Sequence, residues 1–456
     1  MPAEYPPLLP REPIVTAAEM RAAEDAAIAG GTNSFDLMCR AGEAAAAGIA
    51  AFYGPAPVLV LTGPGNNGGD GYVVANALRQ RKWPVEVAAL APPATEAAQQ
   101  AAVLWNAPVI DIADAEPRFV LVDALFGTGL TRGLEEPLLS RFHALARASS
   151  VVVSLDLPSG AATDDGTALS PLVRADLTVT FGAMKPSHLL HPAAASCGRV
   201  LVADIGLGDM TTQLFRNGAP PAPALAADTH KYRRGHVVVV SGAMPGAAWL
   251  AARAAQRAGA GYVTLASETA PPPSSLVVQP LAAIDFARAG AVVLGSGLGR
   301  DLAALACAKK ALAPGRPLVL DADVFSLFAG DPTPVFNLGA VMTPHEGEFV
   351  RFFGNLSGSK VDCVRAAAAR SGNVIVLKGA DTVIAAPDGR AAINDHAGPR
   401  LATAGSGDVL SGMIAAHVAR GDAPFEAACA AVWRHGDAAL RGQDGLVAED
   451  LVGLIR

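Results

Sequence analysis

Aromatic residues are scarce in this chain, 5% of 456, and charged residues reach only 17%. With hydrophobic residues at 51% and 47 glycines, this excludes a disordered or coiled-coil protein and fits closely packed α/β layers. A basic surplus is also missing. The formal net charge is −7 and no basic block occurs, so a nucleic-acid surface is not expected. The five cysteines, Cys39, Cys197, Cys307, Cys363 and Cys429, form no CxxC pair, which excludes a disulfide framework and implies free thiols in a reducing compartment. No apolar run is long enough for a bilayer, and the start of the chain lacks the apolar core of a signal peptide. A cytoplasmic protein is expected, with no membrane partner. The length allows two or three domains.

What the chain has is alternation. Thr16-Ala17-Ala18-Glu19 is a capping box opening a helix that stops at Gly30-Gly31, and a second amphipathic helix spans 35–52. Short apolar, β-branched runs follow at 58–62, 85–90, 119–123, 151–156, 177–181 and 200–204, with helical patterns at 72–81, 96–105 and 138–148. That order predicts a mostly parallel sheet covered on both faces, with ligands beyond the carboxyl ends of the strands.

Three strand-end loops carry chemistry. Gly63-Pro64-Gly65-Asn66-Asn67-Gly68-Gly69-Asp70-Gly71 satisfies GxGxxG, yet the second strand ends without an acid to hold a ribose, so a dinucleotide fingerprint does not follow. Asp123 is followed by 124–133, ALFGTGLTRG, and Asp156 by Leu157-Pro158-Ser159-Gly160. Asn67, Asp123 and Ser159 offer only hard oxygen ligands, suited to an alkali or alkaline-earth cation. The set NNGGDG, VDALFGTGL and DLPSG, with Met38-Cys39-Arg40-Ala41-Gly42 and Lys185-Pro186, resembles the NAD(P)HX epimerase family over 10–215. The resemblance implies a Rossmann-like αβα sandwich with potassium on Asn67, Asp123 and Ser159. It also implies substrate contacts at Asn66, Asn67, Gly68, Gly69, Asp70, Gly127, Thr128, Gly129, Leu130, Thr131, Arg132, Gly133 and Asp156, with Asp156 catalytic.

A Pro/Ala segment within 216–228 reads as a linker. Strand and helix signals then resume: strands at 236–241, 262–266, 291–294, 318–321, 341–343 and 374–378, and helices at 247–258, 302–312, 406–419 and 424–441. The stretch Thr403-Ala404-Gly405-Ser406-Gly407-Asp408 runs straight into an apolar helix. Free N–H groups of its first turn make a cradle for phosphate. Asp408 at that mouth is either a proton acceptor beside bound phosphoryl groups or a helix N-cap. Together HKYRRG, SGAMPGAAWLAA, GSGLG, TPHEGE, KGADT and TAGSGDVLSG resemble the NAD(P)HX dehydratases of the ribokinase-like superfamily over 229–456. The resemblance implies hydrate contacts at Ala247, Gly297, His345 and Asp408, and nucleotide contacts at Lys378, Gly379, Ala380, Asp381, Thr382 and Gly407. Ser296 stands where that family usually has proline.

The two resemblances imply a bifunctional repair enzyme for NADHX and NADPHX. The first domain would interconvert the R and S hydrates. The second would dehydrate the S form with ADP as phosphoryl donor, together with Mg²⁺, giving AMP and phosphate, with Asp408 taking the hydroxyl proton. A homo-oligomer is expected. Two other classes stay open: a small-molecule kinase for the second half and a non-catalytic binding module for the first.

Overall fold

The computed structural model describes residues 12–221, 228–269, 275–312 and 315–456. The expectations for 1–11 and for the core of the linker, 222–227, lie outside the described residues. The chain divides into two compact units: Pro13–Thr212, and Gln213–Arg456 together with Glu12.

Strand β1 (Glu12–Pro13) is followed in the first unit by α1 (Ala17–Ala29), α2 (Ser34–Phe52), β2 (Val58–Thr62), α3 (Asn66–Gln80), β3 (Val85–Ala89), α4 (Glu96–Trp105), β4 (Val109–Asp111), β5 (Val120–Ala124), α5 (Leu138–Ala148), β6 (Val151–Leu155), β7 (Leu177–Phe181) and β8 (Arg199–Ala203). The Thr16 capping box starts α1, and Asn33 caps α2 by accepting from the Phe35 N–H at 2.8 Å. β2, β5 and β7 are buried along their whole length, which is why they read as unbroken apolar runs. The seven strands order β4-β3-β2-β5-β6-β7-β8, all pairs parallel. The order reverses between β2 and β5, so a crevice opens where α3 and the loops after β5 and β6 begin.

The second unit contains β9 (Leu214–Arg216), β10 (His236–Val240), α6 (Pro245–Arg257), β11 (Tyr262–Ala266), β12 (Val277–Gln279), β13 (Ala291–Leu294), α7 (Leu302–Ala311), β14 (Leu318–Leu320), α8 (Asp323–Leu327), β15 (Val341–Met342), α9 (Glu346–Phe353), α10 (Lys360–Ser371), β16 (Val374–Leu377), β17 (Thr382–Ala385), β18 (Ala391–Asn394), α11 (Ser406–Ala419), α12 (Pro424–Arg441) and α13 (Ala448–Leu454). Its sheet runs β1-β9-β18-β17-β16-β15-β14-β13-β10-β11-β12. The strands from β12 to β16 are parallel neighbours, and β16-β17-β18 is an antiparallel meander. Here the reversal falls between β10 and β13, beside the N-termini of α6 and α11. Gly412 lets α11 lie against α6, since a Cβ there would stand 2.0 Å from the Ala251 carbonyl oxygen.

Three local readings change. Asn66 to Gly71 is not loop but the first turns of α3. Its glycines are packing positions: a Cβ on Gly68 would meet the Gly63 oxygen at 1.9 Å, and one on Gly71 the Ala124 Cβ at 2.6 Å. Residues 214–216, divided by the sequence reading between first domain and linker, form β9 and pair with β18. Asn217 anchors that strand, donating to Asn394 Oδ1 at 2.8 Å and the Cys429 oxygen at 3.0 Å. Finally, β4, β12, β17, β18 and the helices α8 to α10 were not anticipated. Among the described residues no helix is long and apolar enough to cross a membrane.

Candidate functional site

Each unit gathers its chemistry at the carboxyl ends of its strands. In the first, Asp156 follows β6 with φ +63°, a left-handed conformation that Asp tolerates better than most residues. Its carboxylate meets a convergent set of donors. Lys185 Nζ donates to Oδ1 at 2.7 Å, Thr180 Oγ1 to Oδ1 at 3.1 Å and the Thr128 N–H to Oδ2 at 2.9 Å, and the Thr128 hydroxyl also donates to Oδ2. Lys185, 1% exposed, donates further to Thr180 Oγ1 and the Phe181 oxygen. Burial alone would raise the Asp156 pKa, but the ammonium and these donors hold it down to about 2. His188 accepts from the Lys185 N–H through Nδ1 at 2.8 Å and donates from Nε2 to the Asp156 oxygen at 2.8 Å. Burial and the neighbouring ammonium lower its pKa to about 4, so it serves as a neutral brace for both residues.

Asp70, in the second turn of α3, is buried beside this pair. Burial, then the charges of Asp156 and Glu24, push its pKa well above the usual carboxylate range. The two carboxyl groups are thus shifted in opposite directions, Asp156 down and Asp70 up, the pattern of an acid and base pair. Gly127 leaves the approach open, because a Cβ there would sit 2.8 Å from Asp156 Oδ2 and 3.3 Å from the Asn67 amide carbon. Thr131 and Arg132 are exposed at the rim, Leu130 N–H closes a turn onto the Gly127 oxygen at 3.2 Å, and Gly133 packs on the Leu169 backbone. Asn66 accepts from Thr95 Oγ1 at 2.6 Å, while Gly69 lies against Met38.

Beneath this pocket Asp123 is buried. It accepts from the Ser159 N–H at 2.9 Å, Ser159 Oγ at 2.7 Å and the Leu125 N–H at 3.2 Å. Burial nevertheless outweighs these donors and lifts its pKa to about 6. Asn67 is buried with neither its amide oxygen nor its nitrogen hydrogen-bonded. A buried carboxylate short of positive charge and an orphaned amide oxygen fit a weakly hydrated monovalent cation held by oxygens.

In the second unit the organiser is Asp321, immediately after β14 and 2% exposed. It accepts from Lys378 Nζ at 2.9 Å and Thr343 Oγ1 at 2.8 Å on one oxygen, and from Ser411 Oγ at 2.8 Å on the other. Burial would neutralise Lys378, but Asp321, Glu348 and Asp408 keep its pKa raised. The ammonium is therefore parked at the mouth of α11, where a Cβ on Gly407 would lie 3.3 Å from it. α11 has Gly405 as its N-cap, at φ +88°, with no side-chain cap bond. The Ser406 N–H donates to the Thr403 oxygen at 3.3 Å, while those of Gly407 and Asp408 make no backbone bond among the described residues and can receive an anion. Asp408 lies within that first turn and is not the cap. Burial and then the Asp321 charge raise its pKa to about 6.

Ala247 and Gly297 are neighbours, since α6 starts against the Gly295-Ser296-Gly297 turn and the Met244 N–H donates to the Gly297 oxygen at 2.9 Å. Asp323 fixes this turn by accepting from the Gly299 N–H at 2.9 Å and Arg300 Nε at 2.7 Å. His345 is the N-cap of α9, reciprocally bonded with Glu348, and its ring stays more than half exposed. In the KGADT turn, Thr382 Oγ1 bonds both the N–H and the oxygen of Gly379. Asp381 is paired with Lys360, so its carboxylate holds the turn together; Ala380 is exposed at the tip.

Thr180, His188, Asp321, Ser411 and Lys360 were given no role from the sequence, and Lys185 was noted only as part of the family resemblance. Asp321 carried the same mark as Asp123 and Asp156, an acid closing an apolar strand. Nothing in periodicity distinguishes a buried lysine such as Lys185 from a surface one.

Comparison with known proteins bears on both halves. A family model described as YjeF-related protein N-terminus matches residues 34–187, and one described as NAD(P)H-hydrate dehydratase matches 237–449. A bifunctional NAD(P)H-hydrate repair enzyme of Coxiella burnetii is 35% identical over 96% of this chain and 97% of its own length. The chain belongs to the bifunctional NAD(P)H-hydrate repair enzyme family. The Escherichia coli member is 33% identical, covering 96% of this chain and 92% of that one. A Bacillus subtilis ADP/ATP-dependent NAD(P)H-hydrate dehydratase, co-crystallised with ATP/Mg²⁺, is 27% identical over 51% of this chain and 92% of that one, with a TM-score of 0.45. The sheet order of the first unit is that of a Rossmann-like sandwich, and the second unit is an α/β domain whose parallel sheet ends in an antiparallel meander.

Proposed function

We infer that the protein repairs hydrated NADH and NADPH in two steps. The first unit epimerises R and S hydrates, and the second dehydrates the S hydrate to the reduced cofactor. The observation that carries this reading is the full-length match to bifunctional repair enzymes, with an uncapped anion cradle in one unit and a polarised carboxyl pair in the other.

For the epimerase we propose that Asp70, whose pKa burial raises, gives a proton to the departing hydroxyl, leaving the carbinol carbon planar. Water then adds to the opposite face and Asp156 receives its proton. Lys185, Thr180 and Thr128 hold the carboxylate in place, and Gly127 to Gly133 frame the ring. Asn67, Asp123 and Ser159 are proposed to hold potassium. Such an ion would neutralise Asp123 and favour an anionic dinucleotide above it.

For the dehydratase, Asp408 takes the hydroxyl proton while the terminal phosphoryl of ADP, accompanied by Mg²⁺, transfers to that oxygen. AMP is left from the donor; phosphate, a far better leaving group than hydroxide, is expelled by the ring nitrogen's electron pair, and loss of the proton on the adjacent ring carbon to water or the departing phosphate restores the double bond. The Gly405 to Gly407 amides and Lys378 face the transferring group. Ala247, Gly297 and His345 line the hydrate side, and the turn from Lys378 to Thr382 the nucleotide side. We further propose a cytoplasmic homo-oligomer; the cysteines form no disulfide, in keeping with a reducing compartment.

The test is incubation of mixed hydrate epimers with ADP, following absorbance of the regenerated cofactor and the phosphorus products. Released inorganic phosphate is expected. A stable phosphoester would instead make the second unit an ordinary kinase.

A further inference from the structure

A second charged cavity lies at the other end of the same sheet. It measures about 410 Å³ and is lined by Arg234, Arg253, Gln256, Arg257, Tyr262 and Ser275, among others. Tyr262 and Val277 are the first residues of β11 and β12, and Arg257 is the last of α6. The candidate dehydratase residues all follow strand carboxyl ends. In this parallel sheet the two places are therefore separated by the length of a strand, roughly 15 Å.

Three arginines line it in a chain of net charge −7. None of them makes an ion pair among the described residues. Arg234 uses its Nε–H on the Gly259 oxygen at 3.1 Å, and Arg253 one Nη1–H on Gln256 Oε1 at 2.9 Å; Arg257 has no hydrogen bond among the described residues. A guanidinium carries five donors, so most remain unspent. Lys231 adds a fourth positive charge, its Nζ 5.3 Å from the Tyr262 ring centre. Structural work explains part of the set, because Arg257 complements the carboxyl end of α6 and Arg234 closes its last turn. It does not explain three forks around one cavity with no carboxylate between them. Like charges so placed repel, and a multivalent oxyanion removes that cost. A volume above 300 Å³ accommodates a ligand of nucleotide size, and Tyr262 offers a ring beside the charges.

We propose that this cavity is a binding site for a small phosphate-bearing anion, separate from the dehydratase centre. Its test uses the full chain and pyrophosphate as probe. Modification of each arginine by phenylglyoxal is followed peptide by peptide by mass spectrometry, which locates the protection. Pyrophosphate slows modification of Arg234, Arg253 and Arg257, whereas sodium chloride of equal ionic strength does not. In the Arg253→Gln/Arg257→Gln chain, the pyrophosphate concentration that protects Arg234 rises about tenfold or more, with dehydration of the S hydrate unchanged. Lys309→Gln/Lys310→Gln removes the same charge from α7 and leaves protection intact. AMP protecting at lower concentration than inorganic phosphate marks a nucleotide occupant; equal concentrations mark the phosphate group alone. Equal modification rates in pyrophosphate and chloride overturn the proposal. So does an equal loss of protection in the α7 variant, which would reduce the effect to the general field of the domain.

Discussion

Lys185 Nζ lies 2.7 Å from Asp156 Oδ1, and the lysine side chain is 1% exposed. Each charge is buried because the other is there. Removing one partner of such a pair leaves an uncompensated buried charge, a loss of about 3–5 kcal/mol. Lys185→Met should therefore lower the unfolding temperature of the first unit and release Asp156 from its depressed pKa of about 2. Epimerisation, measured at a temperature where the variant is folded, is expected to fall sharply while dehydration of the S hydrate persists. Wild-type epimerisation in Lys185→Met would show that the ammonium is packing alone.

The dehydratase should carry the signature of Asp408. Its pKa stands near 6, and the base must be ionised to accept a proton. The rate is expected to climb about tenfold per pH unit on the acid side of that value and to level off above it. Asp408→Asn keeps the shape but cannot take the proton, and should cost ~10²–10⁴-fold in turnover while ADP still binds. Turnover near wild type would remove Asp408 from the chemistry.

Lys378 sits between Asp321 and the first turn of α11, and is proposed to serve the nucleotide side of the centre. Lys378→Ala should raise the KM for ADP more than that for the hydrate. Separate titrations of the two substrates read this directly. A selective weakening for the hydrate would mean that the two ligands are placed the wrong way round.

Asp123 gives a pH test of the cation. Its folded pKa of about 6 exceeds the unfolded value of about 3.9. Ionising it therefore costs stability, beginning as pH rises past the unfolded value and complete above the folded one. Potassium offsets that cost only when the carboxylate is charged. Thermal stabilisation by potassium chloride over tetramethylammonium chloride should be largest above pH 6, shrink towards pH 4, and vanish in Asp123→Ala. Stabilisation of equal size in Asp123→Ala would place the ion elsewhere.

Much of this architecture is legible in the sequence because its strands are buried on both faces. Runs such as Val58 to Thr62 and Val151 to Leu155 leave few other readings, and acids or glycines at their ends mark the ligand edge. The failures have physical causes. Asn66 to Gly71 looks like a loop because glycine disfavours helix in isolation; here close packing on β2 and β5 requires it. β9 is three residues long and exists only because β18 and Asn217 receive it. The buried Lys185 and the hub at Asp321 depend on side chains far apart in sequence, which no local pattern records.

The central claim is that one chain performs both steps at separate sites, and a single progress curve tests it. Freshly prepared mixed hydrate epimers are given to the wild type and to Asp156→Ala, with ADP in excess, and the reduced nicotinamide absorbance is followed to completion. The wild type should recover all of it in one fast phase. Asp156→Ala should recover the S portion at the wild-type rate, then creep upward only as the R form epimerises spontaneously. Fast, complete recovery by Asp156→Ala would contradict the account.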